Sequence, residues 1–157
     1  MMEEAPHFLV DGMAMRLGKY LRCLGYDAAW ESGATTRELA RQAEEQGRVL
    51  LTRNTRAGEE FRPPPAWVWL ASENPVEQLH QVAAELELDL RSRLFTRCIR
   101  CNVELEGVEK EEVSDRVPER VRERHRRFWT CPSCRTIFWW GSHVENTCRK
   151  LGIEPPS

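Results

Sequence analysis

Residues 7–30 have the sequence HFLVDGMAMRLGKYLRCLGYDAAW, and this segment decides the fold. The apolar run 7–10 has the length and composition of a buried strand, and it ends at Asp11. Apolar residues then recur at every third or fourth position, which predicts a helix that stops at Gly25. A weaker second strand is predicted at 27–30. A strand, a helix and a second strand form the crossover unit of parallel α/β sheets.

The same alternation continues to about residue 95. Thr35 and Glu38 have the spacing of a capping box, which predicts the start of a second helix. The apolar runs 49–52 and 67–70 predict two more buried strands. A further amphipathic helix is predicted from Pro75, because proline is favoured at the first helical position. The fold class predicted for this part is therefore α/β, with a parallel sheet and crossover helices.

Composition and charge limit the function classes. The chain has 157 residues, of which 41% are hydrophobic and 31% charged. It contains no apolar run of the ~20 residues that a membrane-spanning helix needs. We therefore expect a cytoplasmic protein without a membrane partner. Residues 1–95 carry 15 acidic and 11 basic side chains, whereas 96–157 carry 10 acidic and 12 basic ones, so the second part is the basic one.

Four cysteines in the second part form two Cys-x-x-Cys pairs, at Cys98 and Cys101 and at Cys131 and Cys134. Each pair can place two sulfurs on one tight turn, and two such turns complete a tetrahedral zinc site with no open position. The sequence therefore predicts a structural zinc ion. The 29 residues between the pairs exceed the usual spacing and indicate an inserted loop or helix. The two remaining cysteines are interpreted as ordinary core or surface thiols.

Polar residues follow two of the predicted strands. Asp11 ends the first strand, and Asn54 lies just beyond the strand 49–52. Glu38, near the start of the intervening helix, can face the same crevice, since ligands of parallel sheets bind beyond the carboxyl ends of the strands. Oxygen ligands of this kind suit magnesium or manganese. The alternatives are that Asp11 is a helix cap or turn residue and that Glu38 only completes the capping box.

Several segments together resemble the Mut-seven C-terminal RNase family. They are FLVD at 8–11, YLRCLGYD at 20–27, GRVLLTR at 47–53, CIRCN at 98–102, CPSC at 131–134 and WGSH at 140–143. They occur in the family's order over nearly the whole chain. The resemblance implies a PIN-like RNase domain at 1–95 and a zinc ribbon with a charged insertion at 96–157. It also implies RNA cleavage with magnesium or manganese.

The chain departs from the family where the resemblance places the catalytic acids. Asp11 matches the first acid, but Asn54 stands where the family usually has aspartate. Thr35 and Thr36 stand where it tends to be acidic, and only Glu38 keeps a carboxylate nearby. An amide in place of a carboxylate keeps an oxygen ligand but removes a charge from a hard-cation site. We therefore expect weaker metal binding, with Asp11, Glu38 and Asn54 as the candidate catalytic residues.

Arginines are the candidate RNA contacts, because lysine and arginine neutralise phosphates without regard to sequence. Arg22 lies on the first predicted helix and Arg53 near the crevice, whereas Arg124 and Arg127 belong to a basic run in the insertion. The run alternates with glutamates, so it can equally be a solvated helix face. Tryptophans 139 and 140 either stack on unpaired bases or pack in the ribbon.

Three functions remain open from the sequence. The first is a divalent-metal-dependent ribonuclease, weakened by the missing charge at position 54. The second is a catalytically inactive module that binds RNA or a ribonucleoprotein. The third is a protein–protein adaptor, which would show no salt-sensitive affinity for RNA. The RNA substrate and the oligomeric state are not determined by the sequence.

Overall fold

A computed structural model describes residues 4–156. Four parallel strands form its main sheet: β1 (Phe8–Val10), β2 (Ala28–Trp30), β3 (Val49–Thr52) and β4 (Trp67–Trp69). Their spatial order is β2-β1-β3-β4. The chain therefore moves outward from β1 to β2 and then crosses back to β3. The predicted parallel α/β sheet is confirmed, and the point at which its strand order reverses lies between β1 and β3.

Helices cover both faces of this sheet. They are α1 (Met15–Cys23), α2 (Thr36–Gln46), the short α3 (Ala57–Glu60) and α4 (Pro75–Leu86). Phe8 and Val10 belong to the large core with residues of α1 and α4, whereas Leu9 lies in a second core with α2. Because successive strand residues point to opposite faces, a short strand that is buried throughout needs helices on both sides.

The helix ends follow the predicted caps. Thr35 Oγ1 accepts a hydrogen bond from the Glu38 amide at 3.1 Å, and Glu38 Oε2 accepts one from the Thr35 amide at 3.0 Å. The predicted capping box is thus confirmed. Pro75 occupies the start of α4, as predicted, and the preceding Asn74 side chain caps the helix. A 3₁₀ turn at Gly12–Ala14 separates β1 from α1, where the sequence predicts continuous helix.

The second part of the chain contains a three-stranded antiparallel sheet. Its strands are β5 (Glu106–Val108), β6 (Phe128–Thr130) and β7 (Ile137–Phe138). Two short helices, α5 (Lys110–Val113) and α6 (Glu119–Arg124), lie between β5 and β6, inside the long interval between the cysteine pairs. A small core centred on Val113, Val117 and Phe128 supports this sheet. We call residues 97–138 the four-cysteine unit.

The last helix, α7 (Ser142–Leu151), returns to the main core. Val144, Cys148 and Leu151 are buried there with residues of β1 and α1. Cys23 is buried as well, and burial raises the pKa of its thiol to about 12. The division predicted at residue 95 assigns α7 to the second domain, and this division stays a prediction. Among the described residues, no helix is both long and apolar enough to cross a membrane.

Candidate functional site

The four cysteines of the two pairs converge. The Sγ atoms all lie within 4.8 Å of one another; they belong to Cys98, Cys101, Cys131 and Cys134. The sulfurs of Cys98 and Cys134 are 3.9 Å apart. Tetrahedral zinc with bonds of about 2.3 Å needs sulfur separations of roughly 3.8 Å. The cluster therefore has the dimensions to hold a metal ion such as zinc.

Local backbone structure prepares these sulfurs as ligands. The amide of Cys101 donates to Cys98 Sγ, and the amide of Cys134 donates to Cys131 Sγ, both at 3.4 Å. Burial outweighs the amide donor at Cys98 and raises the pKa of its thiol to about 12, whereas hydrogen bonds with Thr136 lower the pKa of Cys134 to about 6. Donors directed at sulfur favour the thiolate, which is the form that binds metal.

Both cysteine turns end in the same conformation. Asn102 follows the first pair with φ 60° and Arg135 follows the second with φ 64°. This left-handed conformation disfavours most residues with a side chain, although asparagine tolerates it. Asn102 is held there by its own contacts: its Oδ1 accepts from the Ala28 amide at 3.1 Å and its Nδ2 donates to Asp27 at 2.6 Å. The first turn is therefore attached to β2.

Arg22 makes the second attachment between the two parts. It is only 7% exposed, and it donates to the carbonyl oxygens of Ala28 at 2.8 Å and of Ile99 at 2.6 Å. Its guanidinium also lies 3.6 Å from the centre of the Trp30 ring. The sequence places Arg22 among the RNA-contacting arginines, but its side chain is buried, and its Nε and Nη1 donate to carbonyl oxygens inside the protein. We therefore remove Arg22 from the proposed RNA contacts.

Asp27 connects this junction to the main sheet. Arg48 Nη1 donates to its Oδ1 at 2.8 Å, and Asn102 donates to the same oxygen. Burial alone raises the pKa of Asp27, but the hydrogen bonds from Arg48 and Asn102 bring it below its ordinary value. The ionised carboxylate therefore joins β3 and the first cysteine turn to the start of β2.

The crevice between β1 and β3 contains a connected set of polar groups. Asp11 is 9% exposed; its Oδ1 accepts from the Met13 amide at 3.1 Å, and its Oδ2 accepts from the Thr52 hydroxyl at 2.9 Å. The backbone amide of Asn54 donates to the same hydroxyl at 3.0 Å. Asn54 Nδ2 in turn donates to Thr36 Oγ1 at 3.2 Å. The structure thus brings Asp11 and Asn54 together through Thr52.

An open hollow of about 420 Å³ adjoins this set. It is lined by Thr35, Thr36, Arg37, Asn54 and Phe61. The hollow lies beyond the carboxyl ends of the strands, next to the point where the strand order reverses, which is the usual binding position in open α/β sheets. Thr52 was missed by the sequence interpretation. A threonine at the end of the otherwise apolar run 49–52 is the signal that could have indicated it.

Glu38 occupies a different position from Asp11 and Asn54. Its side chain is exposed, and its carboxylate accepts from the Thr35 amide within the capping box. Among the described residues, the four cysteines form the one group in which three or more acidic, histidine or cysteine side chains lie close enough to hold a single metal ion. Asp11 and Glu38 therefore belong to no such carboxylate cluster, and a catalytic role of Glu38 stays a prediction.

The remaining arginines and tryptophans that the sequence offers as RNA contacts differ in solvent accessibility. Arg53 donates to the Leu70 carbonyl at 2.8 Å and lies 3.5 Å from the exposed Glu73, so it is partly engaged at the end of β4. Arg124 and Arg127 are exposed. Tryptophans 139 and 140 are partly buried; the first packs on the core of the four-cysteine unit, and the second stacks on Trp129 with ring centres 5.1 Å apart. Both rings are thus used in packing.

A family model described as the Mut7-C RNAse domain matches residues 6–151, nearly the whole chain. The chain belongs to the Mut7-C family. This confirms the resemblance found in the sequence. No significant match was found among curated proteins or among solved structures. Membership of Mut7-C supports a nuclease or RNA-related role.

The Mut7-C motifs acquire a structural explanation in this fold. Arg22 and Asp27 come from the motif at 20–27, and Ile99 and Asn102 from the cysteine motif at 98–102. These residues contact one another or the same strand across the junction. Two motifs separated by more than 70 residues are therefore two sides of one interface.

Proposed function

We propose that this Mut7-C protein is a divalent-metal-dependent ribonuclease whose metal site is weakened by the loss of acidic ligands. The observation that supports this is the placement of Asp11. Its carboxylate lies at the reversal point of the sheet and is linked through the Thr52 hydroxyl to the backbone amide of Asn54, a residue that lines an open hollow. In this proposal the hollow receives a phosphodiester of RNA.

The donor set is made only of oxygen ligands, which is the chemistry that magnesium and manganese require. Asp11 would hold the ion, with the amide oxygen of Asn54 and the Thr36 hydroxyl as neutral oxygens nearby. When bound, such an ion polarises the phosphate and lowers the pKa of water. Magnesium sites commonly combine one or two carboxylates with waters and substrate phosphates, so a single carboxylate fits the lower end of this range.

The protein's own residues have separate roles in this proposal. The Thr52 hydroxyl and the Met13 amide orient the Asp11 carboxylate, because each donates to a different carboxylate oxygen. Arg37 lines the hollow and adds positive charge where an RNA phosphate would lie. The Asn54 side chain supplies no charge. We therefore expect a high requirement for metal and slow cleavage.

The second candidate is RNA binding without cleavage. It is favoured by the internal hydrogen bonds of the side chains that were expected to bind metal. Glu38 is used by the capping box, and Asn54 Oδ1 accepts from the Arg56 amide at 2.9 Å. In this candidate the crevice and the four-cysteine unit bind RNA, and neither hydrolyses it.

Restoring the missing charges distinguishes the two candidates. We would measure manganese-dependent cleavage of an end-labelled single-stranded RNA by the parent, by Asn54→Asp and by Thr36→Asp/Asn54→Asp. Each added carboxylate should lower the manganese requirement by about tenfold or more, since a nearby charge contributes on the order of 1 kcal/mol or more even when partly screened. The matched control is Asn74→Asp, because aspartate also serves as a helix N-cap.

Asp11→Asn provides the negative control, because it keeps the shape of the side chain and removes its charge. Cleavage by the parent that disappears in Asp11→Asn supports the ribonuclease. If neither the parent nor the double variant cleaves while both bind RNA with equal affinity, the second candidate replaces it. Cleavage that survives in Asp11→Asn contradicts the proposed site.

A further inference from the structure

A second cavity, of about 460 Å³, lies at the junction between β2 and the four-cysteine unit. Its volume is within the range of about 300–1,000 Å³ that holds small ligands in proteins. The wall combines two aromatic rings, one aliphatic side chain, two cations, a threonine and one cysteine of the metal cluster: Trp30, Phe138, Ile99, Lys19, Arg100, Thr136 and Cys98. The residues of the capping box and of the crevice between β1 and β3 do not line this cavity.

Trp30 is held in a fixed position in this wall. One face of its ring is covered by the Arg22 guanidinium, 3.6 Å from the ring centre. Gly18 lies against the same indole, and a Cβ at this position would be 2.6 Å from the nearest ring atom. Glycine is disfavoured inside a helix relative to alanine, and the close approach of the Trp30 ring explains its presence in α1. What Trp30 offers the cavity is the ring surface that Arg22 leaves uncovered.

The charged part of the wall is available to an anion. Lys19 and Arg100 are exposed, and neither forms an ion pair with an acidic side chain in the part of the chain that the structure describes. The exposed fraction of Ile99, 36%, is large for an isoleucine. The cavity therefore offers ring surface and apolar contact together with two cationic side chains that form no ion pair with a carboxylate in the described part of the chain.

The cavity lies at the same edge of the sheet as the candidate catalytic crevice. Trp30 pairs in register with Val10, and Val10 is followed directly by Asp11. Neighbouring strands are about 4.8 Å apart, so Trp30 and the end of β1 lie side by side. A flexible polymer with alternating planar bases and phosphates matches a wall of aromatic rings and cations.

We propose that this junction cavity binds one nucleotide of a single-stranded RNA whose neighbouring phosphate occupies the crevice. The base lies against Trp30 and Phe138, and the adjacent phosphate binds Lys19 and Arg100. The proposal rests on the proposed function for the identity of the crevice, but not on cleavage. It assigns the four-cysteine unit a direct part in RNA binding through Ile99 and Arg100, because its first turn forms one side of the cavity.

The test measures binding of an end-labelled single-stranded RNA by fluorescence anisotropy, without added divalent metal. Arg100→Glu should weaken binding about tenfold at moderate salt and reduce the slope of log K against log salt by about 0.7 per lost phosphate contact. Its matched control is Arg91→Glu, an exposed arginine that lines neither the junction cavity nor the crevice, which should bind like the parent within about twofold.

Trp30 is tested in two ways because its ring also packs on α1. Trp30→Ala should weaken binding about tenfold, and Trp30→Phe should recover most of this loss since phenylalanine still offers a stacking face. Irradiation of the parent with iodouridine-substituted RNA, followed by peptide mapping, should give a crosslink at Trp30 or Phe138. This second measurement uses the parent protein and is independent of how the variants fold.

Parent-like affinity of Arg100→Glu together with crosslinks only outside the cavity would overturn the proposal. The experiments distinguish an error in the junction-cavity proposal from an error in the ribonuclease proposal. If manganese-dependent cleavage is lost in Asp11→Asn while Arg100→Glu binds normally, only the junction cavity is wrong. If no cleavage occurs but binding depends on Trp30 and Arg100, only the ribonuclease is wrong.

Discussion

Replacing Arg22 with methionine tests how the two parts of the molecule are joined. Methionine keeps much of the apolar stem but removes the donors that satisfy the Ala28 and Ile99 carbonyl oxygens. A hydrogen bond from a charged donor contributes about 1.5–3 kcal/mol, and the desolvated cation–π contact with Trp30 contributes about 1–2 kcal/mol. Allowing for the gain from the new apolar surface, we expect the free energy of unfolding to fall by about 3–5 kcal/mol.

The measurement is equilibrium urea unfolding of the zinc-loaded protein, followed by circular dichroism and by zinc release. Arg16→Met is the matched control, because Arg16 is an exposed arginine on the same helix and should change stability by less than about 0.5 kcal/mol. Arg22→Lys should be intermediate, since lysine keeps the charge but cannot reproduce the planar fork of donors. If Arg22→Met loses no more stability than Arg16→Met, the buried junction is not held as described.

Three further predictions concern the junction and the metal. The pKa of Asp27 is lowered in the folded protein, so its contribution is present above the unfolded pKa of about 3.9 and is lost as pH falls through the lower folded value. Thermal melts between about pH 7 and about pH 3 should therefore show the deficit of Asp27→Asn shrinking in acid, and a constant deficit would contradict this. Arg135→Gly should stabilise the protein by up to about 1 kcal/mol in thermal unfolding, because glycine relieves the positive φ at this position. Asn102→Gly should destabilise the protein, because it also removes two side-chain hydrogen bonds. Equal shifts in melting temperature for the two variants would refute this distinction. Elemental analysis should find a single zinc ion per chain. Addition of a chelator should expose the backbone amides of β5–β7 to hydrogen exchange before those of β1 and β3. Simultaneous exposure of both sets of amides would contradict this prediction, because it would show that the two sheets unfold as one unit.

Much of the main sheet could be predicted from the sequence because its signals are local. The strand 49–52 is a continuous apolar run and is observed at the predicted residues. The capping box at Thr35 and the proline at 75 fix two helix starts through groups only a few residues apart. The paired cysteines likewise indicate their own site, because metal geometry restricts their spacing.

The junction could not be predicted in this way, since its contacts join distant segments. Arg22 reaches the carbonyl oxygen of Ile99, 77 residues away, and a lone arginine on an amphipathic helix gives no local sign of this. The same limit applies to Thr52, whose hydroxyl links Asp11 to Asn54 only after β1 and β3 pair. Glu38 had two interpretations, and the observed hydrogen bonds are those of the capping box.

In the proposed ribonuclease, the crevice between β1 and β3 binds a divalent cation through Asp11. The most direct measurement is anomalous diffraction from crystals of the protein soaked in manganese, with the Asp11→Asn variant treated in the same way. We predict a manganese peak about 2.0–2.2 Å from an Asp11 carboxylate oxygen in the parent and no peak there in Asp11→Asn. A parent crystal with ordered Asp11 and Asn54 but no manganese between the ends of β1 and β3 would contradict the claim.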